Sequence, residues 1–154
     1  MGLMDMFQKA TNSTKIKCKK CGNEETAYNL MHNLYICPNC GYYYRLGARD
    51  RIELTVDKKS FTELSTGLTS KDFLEFQGYQ EKLEKAKSTT KEDDAVVCGK
   101  ATINGKDVAL FVMDSKFMMA SMGSVVGEKI TRLFEYATEN SLPVIGFTAS
   151  GGAR

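Results

Sequence analysis

The sequence predicts an α/β fold with a small metal-bound module at its amino-terminal end, and three observations lead there. Four of the five cysteines stand as two Cys-x-x-Cys pairs, Cys18/Cys21 and Cys37/Cys40, inside "KCKKCGNEETAYNLMHNLYICPNCG". Two apolar, β-branched runs, "AVVCGKATI" and "KDVALFVMD", flank Asn104-Gly105, the dipeptide best suited to a two-residue type I′ hairpin turn. Beyond them a small-residue loop, a helical repeat and another apolar run give the strand-helix-strand order of an α/β sheet, whose ligands bind beyond the carboxyl ends of the strands.

Taken in order, residues 1 to 15 are polar and aperiodic and read as a flexible tail. The cysteine module spans residues 16–46, with a short hairpin expected around Met31, His32 and Asn33. Residues 47–94 read as a helical connecting segment. Its first part is ambiguous, because Ile52, Leu54 and Val56 alternate like a strand while Arg and Glu favour helix. After Ser70, a candidate cap, Phe73, Phe76, Tyr79 or Gln80, and Leu83 recur at helical spacing through Gly78. "KSTTKEDD", 87–94, lacks apolar residues and reads as a linker and domain boundary. In the remaining segment, 95–154, the hairpin is followed by the loop "SKFMMASMG". A helix capped by Ser124 then buries Val126, Ile130, Leu133 or Phe134, and Ala137, and a buried strand "LPVIGFTAS" leads into "GGAR".

Composition excludes several classes. A 42% hydrophobic content over 154 residues suits a folded protein, and the longest apolar runs fall far short of the ~20 residues that span a bilayer. The opening "MGLMDMFQKA" carries Asp5, lacks a signal-type apolar stretch and has Met6 where a myristoylation signal needs Ser or Thr, so a cytoplasmic protein with no membrane partner is expected. The formal charge of +2 counts each cysteine as a thiol; four thiolates on one Zn²⁺ would bring it to about zero. Lys9, Lys15, Lys17, Lys19 and Lys20 form a basic run that either compensates that cluster or binds nucleic acid weakly and non-specifically.

The cysteine pairs fit one structural Zn²⁺. Each Cys-x-x-Cys turn delivers two soft donors, and Gly22 and Gly41 follow where a tight knuckle favours positive φ. With four sulfurs the shell is closed, so the metal holds structure and does no chemistry. His32 then serves as a surface residue, and Cys98, within an apolar strand, as a small buried hydrophobe. At the other end a strand followed by Gly-Gly, as in "ASGGAR", can aim backbone N–H groups at a developing oxyanion.

The cysteine knot, then "RLGARDRIELTVDKKSFTEL", "MASMGSVVGEKI" and "PVIGFTASGGAR" in that order closely resemble the β subunit of the bacterial and plastid acetyl-CoA carboxylase carboxyltransferase. The resemblance implies a zinc ribbon followed by a crotonase-like domain of the ClpP/crotonase superfamily, present here only in its first part, and a helical 48–57 segment. It implies carboxyl transfer from carboxybiotin on the biotin carboxyl carrier protein to acetyl-CoA, giving malonyl-CoA for fatty acid synthesis, in an assembly with the carboxyltransferase α subunit, two of each. By the same resemblance Gly151 and Gly152 would be backbone oxyanion donors and Gly123 and Ser124 a substrate-side loop. Arg154 would neutralise a carboxylate or CoA phosphate, or pair with the partner subunit. Because the family's β subunits continue well past this motif, the chain as given is expected to be inactive alone. A zinc-ribbon nucleic-acid binder is the alternative, with Tyr42, Tyr43 and Tyr44 as base-stacking aromatics.

Overall fold

The computed structural model describes residues 14–154, which divide between Arg45 and Leu46 into two compact units. Most of the expected tail, Lys9 included, lies outside the described residues.

In the first unit, β1 (Lys15–Lys17) pairs antiparallel with β2 (Glu24–Thr26), so Lys15, expected in the tail, is the first strand residue. The expected hairpin around His32 is a helix, α1 (Ala27–His32). The reason is local: the Thr26 hydroxyl accepts from the Asn29 N–H at 3.1 Å, and Glu25 Oε1 accepts from Thr26 N and from Asn29 Nδ2 at 2.9 and 2.8 Å. Leu30 seals the turn, 1% exposed.

The second unit is built on a four-stranded sheet of order β3-β4-β5-β6, comprising β3 (Thr62–Leu64), β4 (Val96–Ile103), β5 (Lys106–Met113) and β6 (Val144–Phe147). The first three are antiparallel, and β6 runs parallel to β5. Asn104 (φ 52) and Gly105 (φ 73) form the expected two-residue turn, with both residues in the left-handed region that a type I′ turn requires. Asp57 finishes it, accepting from the N–H groups of Asn104 and Gly105 at 2.9 and 2.8 Å and from the Thr102 hydroxyl at 2.6 Å.

Strands β4 and β5 are covered on both faces. Val96, Cys98, Ala109, Phe111 and Met113 point to a core shared with Leu83, Phe117, Val126, Leu133 and Ala137. Val97, Leu110 and Val112 point the other way, against Ala48 and Ile52. This two-sided burial explains why both runs are apolar without alternation. The ambiguous 48–57 segment is helical, α2 (Ala48–Thr55), and burial of Ala48 and Ile52 decides it. Its first N–H, from Ala48, donates to buried Asp114 Oδ2 at 2.9 Å.

Several expectations fail here. The helix after Ser70 begins only at Tyr79, forming α3 (Tyr79–Thr90), because Gly78 takes φ 73 and breaks the repeat; Phe73, Leu74 and Phe76 are left 83%, 90% and 67% exposed. The 87–94 stretch is no linker: α3 runs to Thr90, and Glu92 and Asp94 are buried at 7% and 0% exposure. Arg49 grips Glu92 through two bonds of 2.8 and 2.6 Å and reaches Glu63 on β3 at 2.7 Å, so residues 47–94 belong to the same body as the sheet. Finally, β6 is half-buried at the sheet edge rather than fully buried. The long helix α4 (Ser124–Glu139) does bury Val126, Leu133 and Ala137, but Gly123 occupies its cap position and Ser124 is its first helical residue.

A cysteine tetrad and a junction of glycine loops

The four sulfurs of Cys18, Cys21, Cys37 and Cys40 lie within 4.8 Å of one another, with Cys18–Cys40 and Cys21–Cys37 both at 3.7 Å. A tetrahedral ZnS₄ centre with ~2.3 Å bonds has sulfur-sulfur edges of ~3.8 Å, so the donor set fits. A disulfide at ~2.05 Å does not. Each knuckle closes alike, with Gly22 N–H donating to Cys18 O and Gly41 N–H to Cys37 O, both at 2.9 Å. Gly22 and Gly41 take φ 76 and 68, as the tight turns demand.

The sulfurs are electrostatically unequal. Burial pushes Cys18 up, but backbone N–H groups of Cys21 and Lys20 and the Tyr44 hydroxyl more than offset it and hold the thiol at about 6. Cys21 is lowered, chiefly by the Asn39 side chain. Burial, followed by the neighbouring sulfurs, pushes Cys40 up to about 12. Four thiolates so close resist ionising together, and a divalent cation at their centre removes that conflict. Tyr44, whose own hydroxyl is pushed up by burial and by Cys18, packs edge-on to Tyr42 at 5.3 Å. Tyr43 is 74% exposed. His32 is exposed and packs, tilted, against Tyr28 with ring centres 4.3 Å apart, outside the tetrad. Cys98 is fully buried, its thiol pushed up to about 12 by burial, as befits an inert core residue.

In the second unit the two glycine motifs meet. The chain leaving β6 runs beside the loop that leads into α4, and a parallel bridge joins them: Met122 N–H donates to Gly152 O at 2.8 Å, and Arg154 N–H donates to Met122 O at 2.9 Å. Gly123, Ser124, Gly151, Gly152 and Arg154 are thereby brought together at the amino-terminal end of a 16-residue helix. Gly151 and Gly152 are exposed. Gly152 takes φ 105, which suits glycine, and its N–H is held by Ser150 Oγ at 3.0 Å. At Gly151 the requirement is space: a Cβ there would sit 3.0 Å from Met119 Cβ and 3.2 Å from its carbonyl oxygen.

The loop pressing on Gly151 is itself unusual. Met118, Met119 and Ala120 take φ 45, 57 and 56, a turn of three consecutive non-glycine residues in the left-handed region. Such backbone costs about 1–2 kcal/mol per residue and persists only where surrounding contacts enforce it. Phe117 and Ala120, both fully buried, anchor its ends. No glycine signals this turn in the sequence.

Arg154 turns its guanidinium inward. Its side chain is 8% exposed and paired with fully buried Asp94. It also donates to the Tyr79 hydroxyl, to Ser121 O at 3.1 Å and to Ser70 Oγ at 3.5 Å. Sequence reasoning missed Asp94, Ser70 and Tyr79 as parts of this junction, and the charged look of "KEDD" concealed the first. Beside the junction opens a cavity of about 420 Å³, whose lining joins residues of the 70–76 stretch and Tyr79 to Gly123, Ser124 and Arg154.

The carboxyl transferase domain is the family whose pattern matches, over residues 44–154. Among solved structures, transcarboxylase 12S, with methylmalonyl-coenzyme A and methylmalonic acid bound, superposes with a TM-score of 0.60 at 28% identity, covering 71% of this chain and 20% of that one. The β subunit of geranyl-CoA carboxylase from P. aeruginosa gives 0.54 at 25% identity, covering 71% and 18%. A single-chain, multi-domain long-chain acyl-CoA carboxylase shares the fold, with a TM-score of 0.57 at 23% identity over 70% of this chain and 11% of that one. The chain spans about a fifth of the length of transcarboxylase 12S.

Proposed function

The chain belongs to the carboxyl transferase domain family, and from that premise we propose that it is the β-type carboxyltransferase component of an acetyl-CoA carboxylase, passing a carboxyl group from carboxybiotin to acetyl-CoA to form malonyl-CoA. The observation that carries the reading is the bridged pair of glycine loops at the start of α4, inside the family match, in a chain whose other unit holds a cysteine tetrad. The chemistry suits such a site. Carboxyl transfer to a thioester needs the acyl oxygen held while negative charge develops on it, and preorganised backbone N–H groups are the economical way to do that. Gly151 and Gly152 would supply those donors, the Ser150 hydroxyl yielding the Gly152 N–H as substrate arrives, and Gly123 and Ser124 would border the thioester with the positive end of α4 behind them. Carboxybiotin, delivered by a carrier protein, supplies the CO₂ when bound. On this reading residues 95–154 are the first part of a crotonase-like domain, and the tetrad is a zinc ribbon whose Zn²⁺, held by Cys18, Cys21, Cys37 and Cys40, serves structure alone.

The test is malonyl-CoA formation by this chain carried within a complete carboxyl transferase domain, in assembly with an α-type carboxyltransferase subunit and a biotin carrier, against propionyl-CoA and a long-chain acyl-CoA as competitors. Acetyl-CoA should give the highest kcat/KM. Preference for a longer acyl group would refute the acetyl assignment, and no transfer to any acyl-CoA would refute the reaction. A second reading keeps one observation of its own: Lys15, Lys17, Lys19 and Lys20 are all exposed around the tetrad. Counterion release from these four lysines predicts weak nucleic-acid binding that falls on the order of 10²-fold between 50 and 200 mM salt.

A further inference from the structure

The geometry points to Asp94 as a positioning residue that acts through Arg154 to fix the glycine loop against the Met122–Ser124 loop; only the catalytic consequence rests on the carboxyl-transfer reading. Asp94 stands two residues before β4 begins and has no exposed surface. Each of its oxygens is committed, Oδ2 accepting from the Ser70 hydroxyl at 2.7 Å, Oδ1 from the Ala95 N–H at 2.7 Å and from Arg154 Nη2. The carboxylate is thus held by Ser70 and by the backbone just ahead of β4 as well as by the guanidinium. Arg154 is then gripped along three directions: Nη2 to Asp94, Nη1 to Tyr79 and Ser70, and Nε to Ser121 O. Its plane also lies over Phe117, 5.7 Å from the ring centre.

A guanidinium held at this many points has one orientation, which its backbone transmits. Arg154 N–H bonds Met122 O and Gly152 O accepts from Met122 N–H, so residues 152–154 are pinned by side chain at one end and by main chain at the other. Gly123 lies against the same guanidinium, where a Cβ would be 3.1 Å from Cζ. Burying this pair is a poor way to gain stability, since apolar residues of similar size commonly serve as well. Fixing a direction is what the planar fork does better than any apolar group or lysine. Both glycine motifs are therefore referred to one carboxylate 60 residues away from Arg154 in sequence.

The experiment uses the full chain in its native assembly, with Asp94→Asn, Arg154→Lys and the milder Ser70→Ala, reading backbone amide hydrogen exchange and the steady-state kinetics of carboxyl transfer. Asp94→Asn and Arg154→Lys should speed exchange at the Met122 and Arg154 amides about tenfold or more while leaving β4 and β5 protected. They should lower kcat on the order of 10²-fold, the cost of one misaimed oxyanion donor, with KM for the acyl-CoA within about threefold. Ser70→Ala should shift both in the same direction, less far. Unchanged exchange at those amides in Asp94→Asn, or in Ser70→Ala if Asp94→Asn does not fold, overturns the clamp. A raised KM with kcat preserved also overturns it, because that would make these groups part of acyl-CoA binding. An inactive wild-type assembly counts against the carboxyl-transfer reading alone, and the exchange measurements still decide the clamp.

Discussion

Gly123 and Gly127 are four residues apart around the start of α4, and the structure gives alanine opposite effects at the two. Gly127 lies on an exposed face inside the helix, with nothing within 4 Å of where a Cβ would stand. Its replacement gains only helix propensity, about 0.8–1 kcal/mol. Gly123 has φ −104, which any residue adopts, so backbone strain plays no part. Its Cβ, however, would stand 3.1 Å from Arg154 Cζ and 3.2 Å from both terminal nitrogens. The guanidinium cannot retreat freely, because Asp94, Tyr79 and Ser121 hold it. The misfit resembles overpacking, at about 1–3 kcal/mol. With about 4 °C in Tm per kcal/mol for a body of this size, Gly127→Ala should raise the melting temperature of the sheet-bearing unit by about 4 °C, and Gly123→Ala should lower it by roughly 4–12 °C. Calorimetry of the two variants in the full chain decides it. A Gly123→Ala melt equal to or above wild type would mean that Arg154 does not occupy the space beside Gly123, and the account of the junction would fail with it.

Gly99 offers a harsher case, since a Cβ there would fall 2.5 Å from the Thr62 carbonyl oxygen and from the Phe61 ring; Gly99→Ala should unpair β3 from β4 and cost more than Gly123→Ala, seen as exchange of the β3 amides with β5 still protected. Cys37→Ser should abolish stoichiometric zinc by metal analysis and remove the tetrahedral thiolate absorption of a cobalt-substituted sample, and chelation should unfold the first unit while leaving the melting of residues 46–154 in place; retained metal would exclude the tetrad. Asp57 is held below its ordinary value of 3.8, first by the Thr102 hydroxyl and then by the Gly105 N–H. Its ionised form therefore stabilises the hairpin at all pH values above 3.8, and the contribution fades as pH falls through the depressed native value. The stability gap between wild type and Asp57→Asn should be full at neutral pH and close in acid, and a gap independent of pH would contradict the assignment.

What the sequence by itself determined is what short-range chemistry determines. The two Cys-x-x-Cys pairs fix their own turns through Gly22 and Gly41, and only the meeting of the pairs needed the fold. Asn104-Gly105 sets the register of β4 on β5, because few other dipeptides take positive φ at both positions of a two-residue turn. The apolar face of α4 was readable for the same reason, its repeat being a property of 16 consecutive residues. Tertiary structure decided the rest. The 48–57 segment had two self-consistent local readings, and burial of Ala48 and Ile52 against Val97 and Leu110 selected one. The 71–78 stretch had helical spacing, but Gly78 at φ 73 ended the repeat and left its apolar side chains unburied. "KEDD" read as a solvated linker because charge normally seeks water; Arg49 and Arg154, distant in sequence, neutralise Glu92 and Asp94 and allow both to be buried. The left-handed turn at Met118–Ala120 has no sequence signal, since it is held by packing around it against local preference. The glycine motifs were legible as motifs, but Asp94, the carboxylate paired with Arg154 beside them, lies across a loop closure of 60 residues, and no local pattern encodes a contact at that range.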